Sequence, residues 1–324
     1  ATEEWTAQST FTKQNLGQVY YNSGSNAFKV TRTVTEAGNW SSGGAINTAR
    51  FWFGGAGTST AGLVFGGANP PRNQTESYDG SSWSEVNNLN SARGYTNGGG
   101  TQTAALCVAG TLPPYGTQVE SWDGTNWTEV ADVSTARSGV NLAGSSTSLI
   151  TTGGFNPSYP SGNAPYAEQW NGSSWTEVAE MNTARYAGGG SGATGTDALI
   201  FGGSNTGGGA LTSGNNEIWN GSSWTALADL NTGRYGVGGF GTTTSAICCG
   251  GANPVVNSTE QWNGSTWTEV NNLGTSNRTQ AVSSQPAGSS QGFAAGGSNG
   301  SSTLGITEEW LQSSSIENQT ITVG

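Results

Sequence analysis

The sequence predicts an all-β protein assembled from repeated four-stranded units, and three observations carry that prediction. First, one stretch recurs. Its cleanest copy runs Glu168-Gln-Trp-Asn-Gly-Ser-Ser-Trp-Thr-Glu-Val178 and ends in Asn182-Thr-Ala-Arg185, and near-copies start at Glu76, Glu120, Glu217 and Glu260. Second, the chain holds 53 glycines and 13 tryptophans with only 10% charged residues. No window is rich enough in Ala, Leu, Glu, Lys and Arg to make a long helix. Third, the interval from tryptophan to arginine is fixed. Trp40–Arg50, Trp83–Arg93, Trp127–Arg137, Trp175–Arg185 and Trp224–Arg234 share one spacing, and Trp267–Arg278 is one residue longer.

A chain of 324 residues can bury a large core, and a repeat of this length builds one body from similar units. High Gly and Ser content is also compatible with disorder, but disordered segments are poor in aromatics, and here the tryptophans recur in register. The formal charge of −11 argues against a nucleic-acid partner, because the phosphate backbone demands a basic face. The only lysines are Lys13 and Lys29, and most of the arginines belong to the repeat, so no basic patch is expected. No apolar run reaches membrane-spanning length, so no membrane insertion is expected. The opening residues lack a signal-peptide pattern and an initiator Met, so the chain is expected to be processed or incomplete there. Cys107, Cys248 and Cys249 sit in apolar runs and are expected as buried free thiols. With no histidine, a zinc site is not expected, and no other metal or cofactor is predicted.

In chain order, residues 1–39 do not fit the repeat. Gly17 to Val30 reads as a hairpin around Asn22-Ser-Gly-Ser25, and residues 1–39 are expected to act as an attachment segment. At Trp40 the pattern begins. After each arginine comes a Gly-rich run (strand A), then an apolar run ending in Gly-Gly (strand B), as in Leu63-Val-Phe-Gly-Gly67 and Ile150-Thr-Thr-Gly-Gly154. The second unit has Ala109 in place of the first glycine of the pair. A loop of variable length leads to the Glu-x-aromatic strand (C). An Asn-Gly or Asp-Gly turn then leads to the Trp strand (D), since these dipeptides accept the positive φ of tight hairpins. Four strands in some forty residues are the pattern of propeller blades. Glycine suits the crowded innermost strand, and tryptophan suits the wider outer part.

An arginine, an apolar run ending in Gly-Gly, Glu-x-Tyr/Trp and then Trp resembles the kelch repeat over residues 40 to 311. The wording Thr-Glu-Gln-Trp-Asn-Gly-Ser-Thr-Trp-Thr-Glu-Val, with Asn-Thr-Ala-Arg and the Gly-Gln-Val-Tyr-Tyr-Asn-Ser hairpin, is similar to kelch-like structural proteins of marine bacteriophages. The resemblance implies a single kelch-type β-propeller. Arg50, Arg93, Arg137, Arg185, Arg234 and Arg278 open six units, and the sixth lacks a Trp-bearing strand D. The strand Trp40–Asn47 supplies it, closing a ring of six blades and removing exposed edges. A seventh blade from residues 3–47 is the alternative. Residues 312–324 are expected to form a tail or an edge strand.

The repeated Glu76, Glu120, Glu168, Glu217, Glu260 and Glu308 and the repeated arginines are the wrong arithmetic for a catalytic cluster. They are expected to pair and stitch the blades. Without histidine, the copper chemistry of galactose oxidase, which also carries kelch repeats, and Ser-His-Asp catalysis are excluded. A paired-carboxylate hydrolase would need a cluster, and the acids outside the repeat are scattered, so no catalytic residue is predicted. The B–C loops differ most between copies. They hold Arg72, Tyr115, Phe155, Tyr159 and Tyr166 among prolines, a composition suited to binding. The resemblance thus implies a non-enzymatic virion protein, a tail fibre or head decoration, on the particle surface. Its expected partners are other virion proteins and a host surface glycan or protein. A purely structural virion scaffold is one alternative. A carbohydrate-active enzyme or an adhesin at the cell surface or secreted is another.

Overall fold

The computed structural model describes residues 17–111, 115–206, 212–283 and 288–321. Its strands form seven antiparallel sheets, where the repeat predicts six: six sheets of four strands, and one of three. The chain divides into two compact units. One comprises Asn39–Leu311; the other joins Ala1–Gly38 to Gln312–Gly324.

In the terminal unit, β1 (Val19–Asn22) and β2 (Ala27–Thr35) form the expected hairpin. In the repeat unit, β3 (Asn39–Gly43) stands alone at the start. The first full sheet is β4 (Gly54–Thr58), β5 (Ala61–Phe65), β6 (Thr75–Tyr78) and β7 (Trp83–Val86). The second is β8 (Asn97–Thr101), β9 (Ala104–Gly110), β10 (Gly116–Trp122) and β11 (Trp127–Val130). The third is β12 (Asn141–Ser145), β13 (Ser148–Thr152), β14 (Ala167–Trp170) and β15 (Trp175–Val178). The fourth is β16 (Gly189–Thr194), β17 (Asp197–Phe201), β18 (Asn216–Trp219) and β19 (Trp224–Leu227). The fifth is β20 (Gly238–Gly241), β21 (Ala246–Cys249), β22 (Thr259–Trp262) and β23 (Trp267–Val270). The last contains β24 (Ala281–Val282), β25 (Gln291–Ala295) and β26 (Thr307–Leu311), and β3 is its fourth strand, with Trp310 opposite Trp40. Finally β27 (Ser314–Thr320) pairs with β2 along Lys29–Thr35, making the three-stranded sheet. The C-terminal stretch is therefore an edge strand of the hairpin's sheet. The rest of the proposed seventh blade, residues 3–16, lies outside the described residues.

Sheets pack through their broad faces. Tryptophans on the third and outermost strands meet in pairs, as Trp122 and Trp127, Trp170 and Trp175, and Trp219 and Trp224 do, each with ring centroids 5.3 Å apart. Aromatic rings also cross between sheets, with Phe65 edge-on to Trp127 at 4.7 Å and Phe201 to Trp267 at 4.8 Å. Several indole nitrogens are spent on neighbours: Trp127 Nε1 donates to Thr75 Oγ1 at 3.0 Å, and Trp83 Nε1 to Thr307 Oγ1 at 2.9 Å. Large rings belong here because the gap between twisted sheets widens outward. Inward, the A strands converge, and at several positions only glycine fits. A Cβ on Gly190 would lie 2.0 Å from the Leu142 carbonyl oxygen.

Two circuits of main-chain hydrogen bonds join the six sheets. In the outer circuit, the glycine that ends each strand B run donates to the carbonyl of the residue that opens the next sheet, an arginine at five crossings and Asn277 at the sixth. Gly67 donates to Arg93 at 3.0 Å and Gly154 to Arg185 at 3.0 Å, and Gly297 closes the set on Arg50 at 2.8 Å. The inner circuit is a closed ring: Tyr95 N donates to Trp52 O, Gly139 to Tyr95, Ala187 to Gly139, Gly236 to Ala187, Thr279 to Gly236 and Trp52 to Thr279, all at 2.7–3.0 Å. All six residues have φ between 53° and 64°. Gly139 and Gly236 adopt this left-handed conformation freely, whereas the other four carry side chains there at a steric cost.

Candidate recognition face

The repeat's own charged residues are buried fasteners. Arg50, Arg93, Arg137, Arg185 and Arg234 pair with Glu76, Glu120, Glu168, Glu217 and Glu260 of the same sheet, with side chains at most 2% exposed. Each glutamate also accepts a main-chain N–H at the start of the linker arriving from the previous sheet. The donors are Asn47 to Glu76 at 2.7 Å, Asn90 to Glu120 at 2.7 Å, Ser134 to Glu168 at 2.8 Å, Asn182 to Glu217 at 2.9 Å and Asn231 to Glu260 at 2.8 Å. One carboxylate thus holds both ends of an inter-sheet crossing. Burial pushes the Arg50 guanidinium down to about 10 against the opposing pull of Glu76.

The sixth copy departs from this expectation. Arg278 does not pair with Glu308. The extra residue between Trp267 and Arg278 puts Asn277 in the arginine's place. Asn277 is buried, its carbonyl accepts the Gly251 N–H at 2.7 Å, and its Nδ2 donates to Gly296 O at 2.7 Å. Glu308 keeps the linker contacts, accepting from Gly274 N at 2.6 Å and Thr275 N at 3.1 Å. Arg278 is moved one position outward, half-buried, with Nη1 3.3 Å from Tyr235 Oη.

The B–C loops and the segments that follow the repeat arginines lie together. Isolated bridges join Gly94 to Thr111, Ser138 to Phe155, Tyr186 to Ser204, Tyr235 to Ala252, and Arg278 to Ser298. Of the binding residues expected from sequence, the structure brings Tyr115 and Phe155 together at 5.8 Å, and Tyr159 and Tyr166 edge-to-face at 5.8 Å. Arg72 is half-buried in the first B–C loop, where its carbonyl accepts the Arg93 N–H at 2.9 Å. Pro113 and Pro114 of the second loop lie outside the described residues. The third loop is held by its own bonds, Asn156 N to Gly162 O at 2.7 Å and Gly162 N to Tyr159 O at 2.8 Å.

Sequence reasoning missed several members of this face. Tyr186 meets Phe155 at 6.3 Å and Tyr235 at 6.2 Å, so Tyr115, Phe155, Tyr186, Tyr235 and Arg278 form one continuous track across five sheets. Trp52 and Tyr95 stack at 4.9 Å on the inner ring. The clue was available: the one or two positions after the repeat arginine are aromatic in four copies, at Phe51-Trp52, Tyr95, Tyr186 and Tyr235. Burial, with Tyr235 and Tyr95 nearby, pushes the Tyr186 phenol up to about 12.

At the centre, the inner ring surrounds an open recess of about 580 Å³, including the solvent at its mouth. Trp52, Phe53, Thr96, Asn97, Val140 and Gln280 are among the residues lining it, and no carboxylate is among its described lining residues. Gln280 Nε2 donates to Cys249 O at 3.0 Å, while its buried Oε1 has no partner among the described residues. Among the described residues no cluster of His, Cys, Asp or Glu could hold a metal ion.

The sheet order and central recess define a β-propeller. The solved structure titled "Structure of YjhT" has this fold in common with the chain: TM-score 0.67, 10% identity, 85% of this chain and 99% of that one covered. At that identity the likeness speaks to fold alone. No protein-family model matches the chain. No curated protein matches it in sequence.

Proposed function

We propose that the protein is a kelch-type propeller serving as a non-enzymatic recognition module on the surface of a phage particle, as a tail fibre or head decoration. The B–C loop face engages a surface glycan or protein, and residues 1–39 tie the propeller to other virion proteins. The observation that carries this reading is the aromatic track. Half-exposed rings gather on the B–C loops and the segments beside them, while the charges of five of the six copies are consumed in buried pairs. Stiff aromatic side chains supply contact area at low entropic cost. A hydrolase of the paired-carboxylate type needs two carboxylates facing one cavity, and the carboxylate-free lining of the recess gives that reading no support. Joint replacement of Tyr115, Tyr159 and Tyr166 by alanine is expected to abolish attachment of the protein to host cells, read by pull-down. Undiminished attachment would remove the loop face from consideration.

A purely structural scaffold role has its own supporting observation. On the terminal sheet, Val19, Tyr21 and Phe28 are 58%, 46% and 57% exposed, and none of its described apolar residues is buried. A sheet without a core of its own gains one by packing against a neighbour.

A further inference from the structure

The charge on the recognition face is distributed unlike that on the rest of the chain. The protein carries a net −11, yet no aspartate or glutamate occurs in any B–C loop or in the segments 51–53, 94–96, 138–140, 186–188, 235–237 and 278–280. Besides the repeat glutamates, the nearest acids in sequence are Asp132, Glu180 and Asp229, in the linkers between the second and fifth sheets, and Asp132 accepts from Thr117 Oγ1 at 2.9 Å beside the second B–C loop; the linkers that flank Arg278 and Arg72, residues 44–49, 87–92 and 271–277, contain no acid. Of the seven arginines between residues 39 and 311, five are consumed in buried ion pairs. The remaining two, Arg72 and Arg278, are both on this face, and neither makes an ion pair among the described residues. Arg278 is there because of the single extra residue in the last linker. Arg278 opens the last sheet and Arg72 sits in the first, neighbours joined by the Trp52–Thr279 bond.

We propose that this face binds an anionic polysaccharide: a chain of sugar rings bearing carboxylates. This rests on the loop-face reading above and specifies its ligand. Each part of the ligand has a counterpart. Sugar C–H faces pack on the half-exposed rings of Tyr115, Phe155, Tyr186 and Tyr235, and on the Trp52–Tyr95 stack. The carboxylates meet Arg278 and Arg72, whose planar forks suit them. The absence of competing acids lets two guanidiniums dominate locally on an acidic protein, an arrangement that selects among partners by charge.

The test is calorimetric titration of the full chain with a hexamer of galacturonic acid, neutral cellohexaose and hexaglutamate peptide. The galacturonate is expected to bind at least about tenfold tighter than cellohexaose, as a charge-assisted hydrogen bond implies, and to weaken as salt rises. Arg278→Gln and Arg72→Gln should each lose about tenfold in affinity, while Arg278→Lys, which keeps the charge but not the fork, should lose less than Arg278→Gln. Unchanged melting temperatures in these variants would show that the fold is intact. Equal binding of cellohexaose, tighter binding of hexaglutamate, no binding of the galacturonate, or indifference to both arginine replacements would each overturn the inference. The loop-face reading can survive that result: if Tyr115, Tyr159 and Tyr166 still govern cell attachment, the face is right and the ligand class is wrong.

Discussion

Removing Glu168 should be far more damaging than removing Glu308, although both occupy the same place in the repeat. The Glu168 carboxylate accepts from Arg137 Nη2 at 2.8 Å and from Ser134 N at 2.8 Å. The Arg137 side chain is 0% exposed, and its Nε and Nη1 have no other partner among the described residues. Glu168→Ala thus strands a buried guanidinium, which costs about 3–5 kcal/mol. In Glu217→Ala, Arg185 still donates to Asn215 O at 2.8 Å, so the loss is smaller. Glu308 has no guanidinium to strand. Its removal frees only the N–H groups of Gly274 and Thr275, at about 1–3 kcal/mol for unmet donors. Urea unfolding followed by tryptophan fluorescence should rank the three variants Glu168, Glu217, Glu308 in falling cost. The double replacement Arg137→Met with Glu168→Leu should recover most of the loss, since apolar replacement of a buried pair is often near neutral. Equal costs for Glu168→Ala and Glu308→Ala, or no recovery in the double variant, would refute stranding of the charge as the cause.

Other expectations concern turns, thiols and the inner ring. Asp79 sits in an exposed turn where the N–H and hydroxyl groups of Ser81 and Ser82 hold its carboxyl down to about 2. A depressed folded pKa contributes stability above the unfolded value near 3.8 that is lost as pH falls toward 2. Asp79→Asn, the residue used at Asn171, Asn220 and Asn263, should flatten that part of an acid-melting curve and leave neutral pH unaffected. Cys107, Cys248 and Cys249 are buried, and burial pushes the Cys248 thiol up to about 11. A thiol reagent at pH 8 should label none of the three in the native protein and all of them in denaturant. Gly236→Val places a β-branched side chain at φ 64°, with its Cβ 2.9 Å from Thr279 Cγ2. It should cost at least about 1–2 kcal/mol from the left-handed conformation alone, measurable as a lowered urea midpoint.

The strands were legible because each is announced locally. Turn dipeptides, the Gly-Gly stop and the Trp spacing all lie within one unit, and each recurs. Pairing of β3 with β26 followed from counting strands, since one end lacked what the other had spare. Pairing of β2 with β27 was not legible. Nothing in Ser314–Thr320 marks the strand it will meet, and the two are separated by the whole repeat region. At the last linker the residue type was followed when the register was the better guide. Trp267 to Asn277 preserves the spacing of every other copy, and main-chain bonds recognise position, not side chain. The face was half legible. Loop variability pointed to Tyr115 and Phe155, but Tyr186 and Tyr235 lie in segments of constant length, where variation resides in side chains alone.

The inner ring of six residues has no first or last member. Each residue's N–H donates to one neighbour while its carbonyl accepts from the other. No N–H or C=O of the six is left over. The bond between Trp52 and Thr279 joins residues 227 positions apart (279 − 52), so the circle is complete only when the first and last sheets have both arrived. Deleting one sheet would break two of these bonds and leave an unmatched donor and acceptor facing each other across the gap. The number of units is therefore enforced at the axis by main-chain geometry, independent of the side chains that fill the space between sheets.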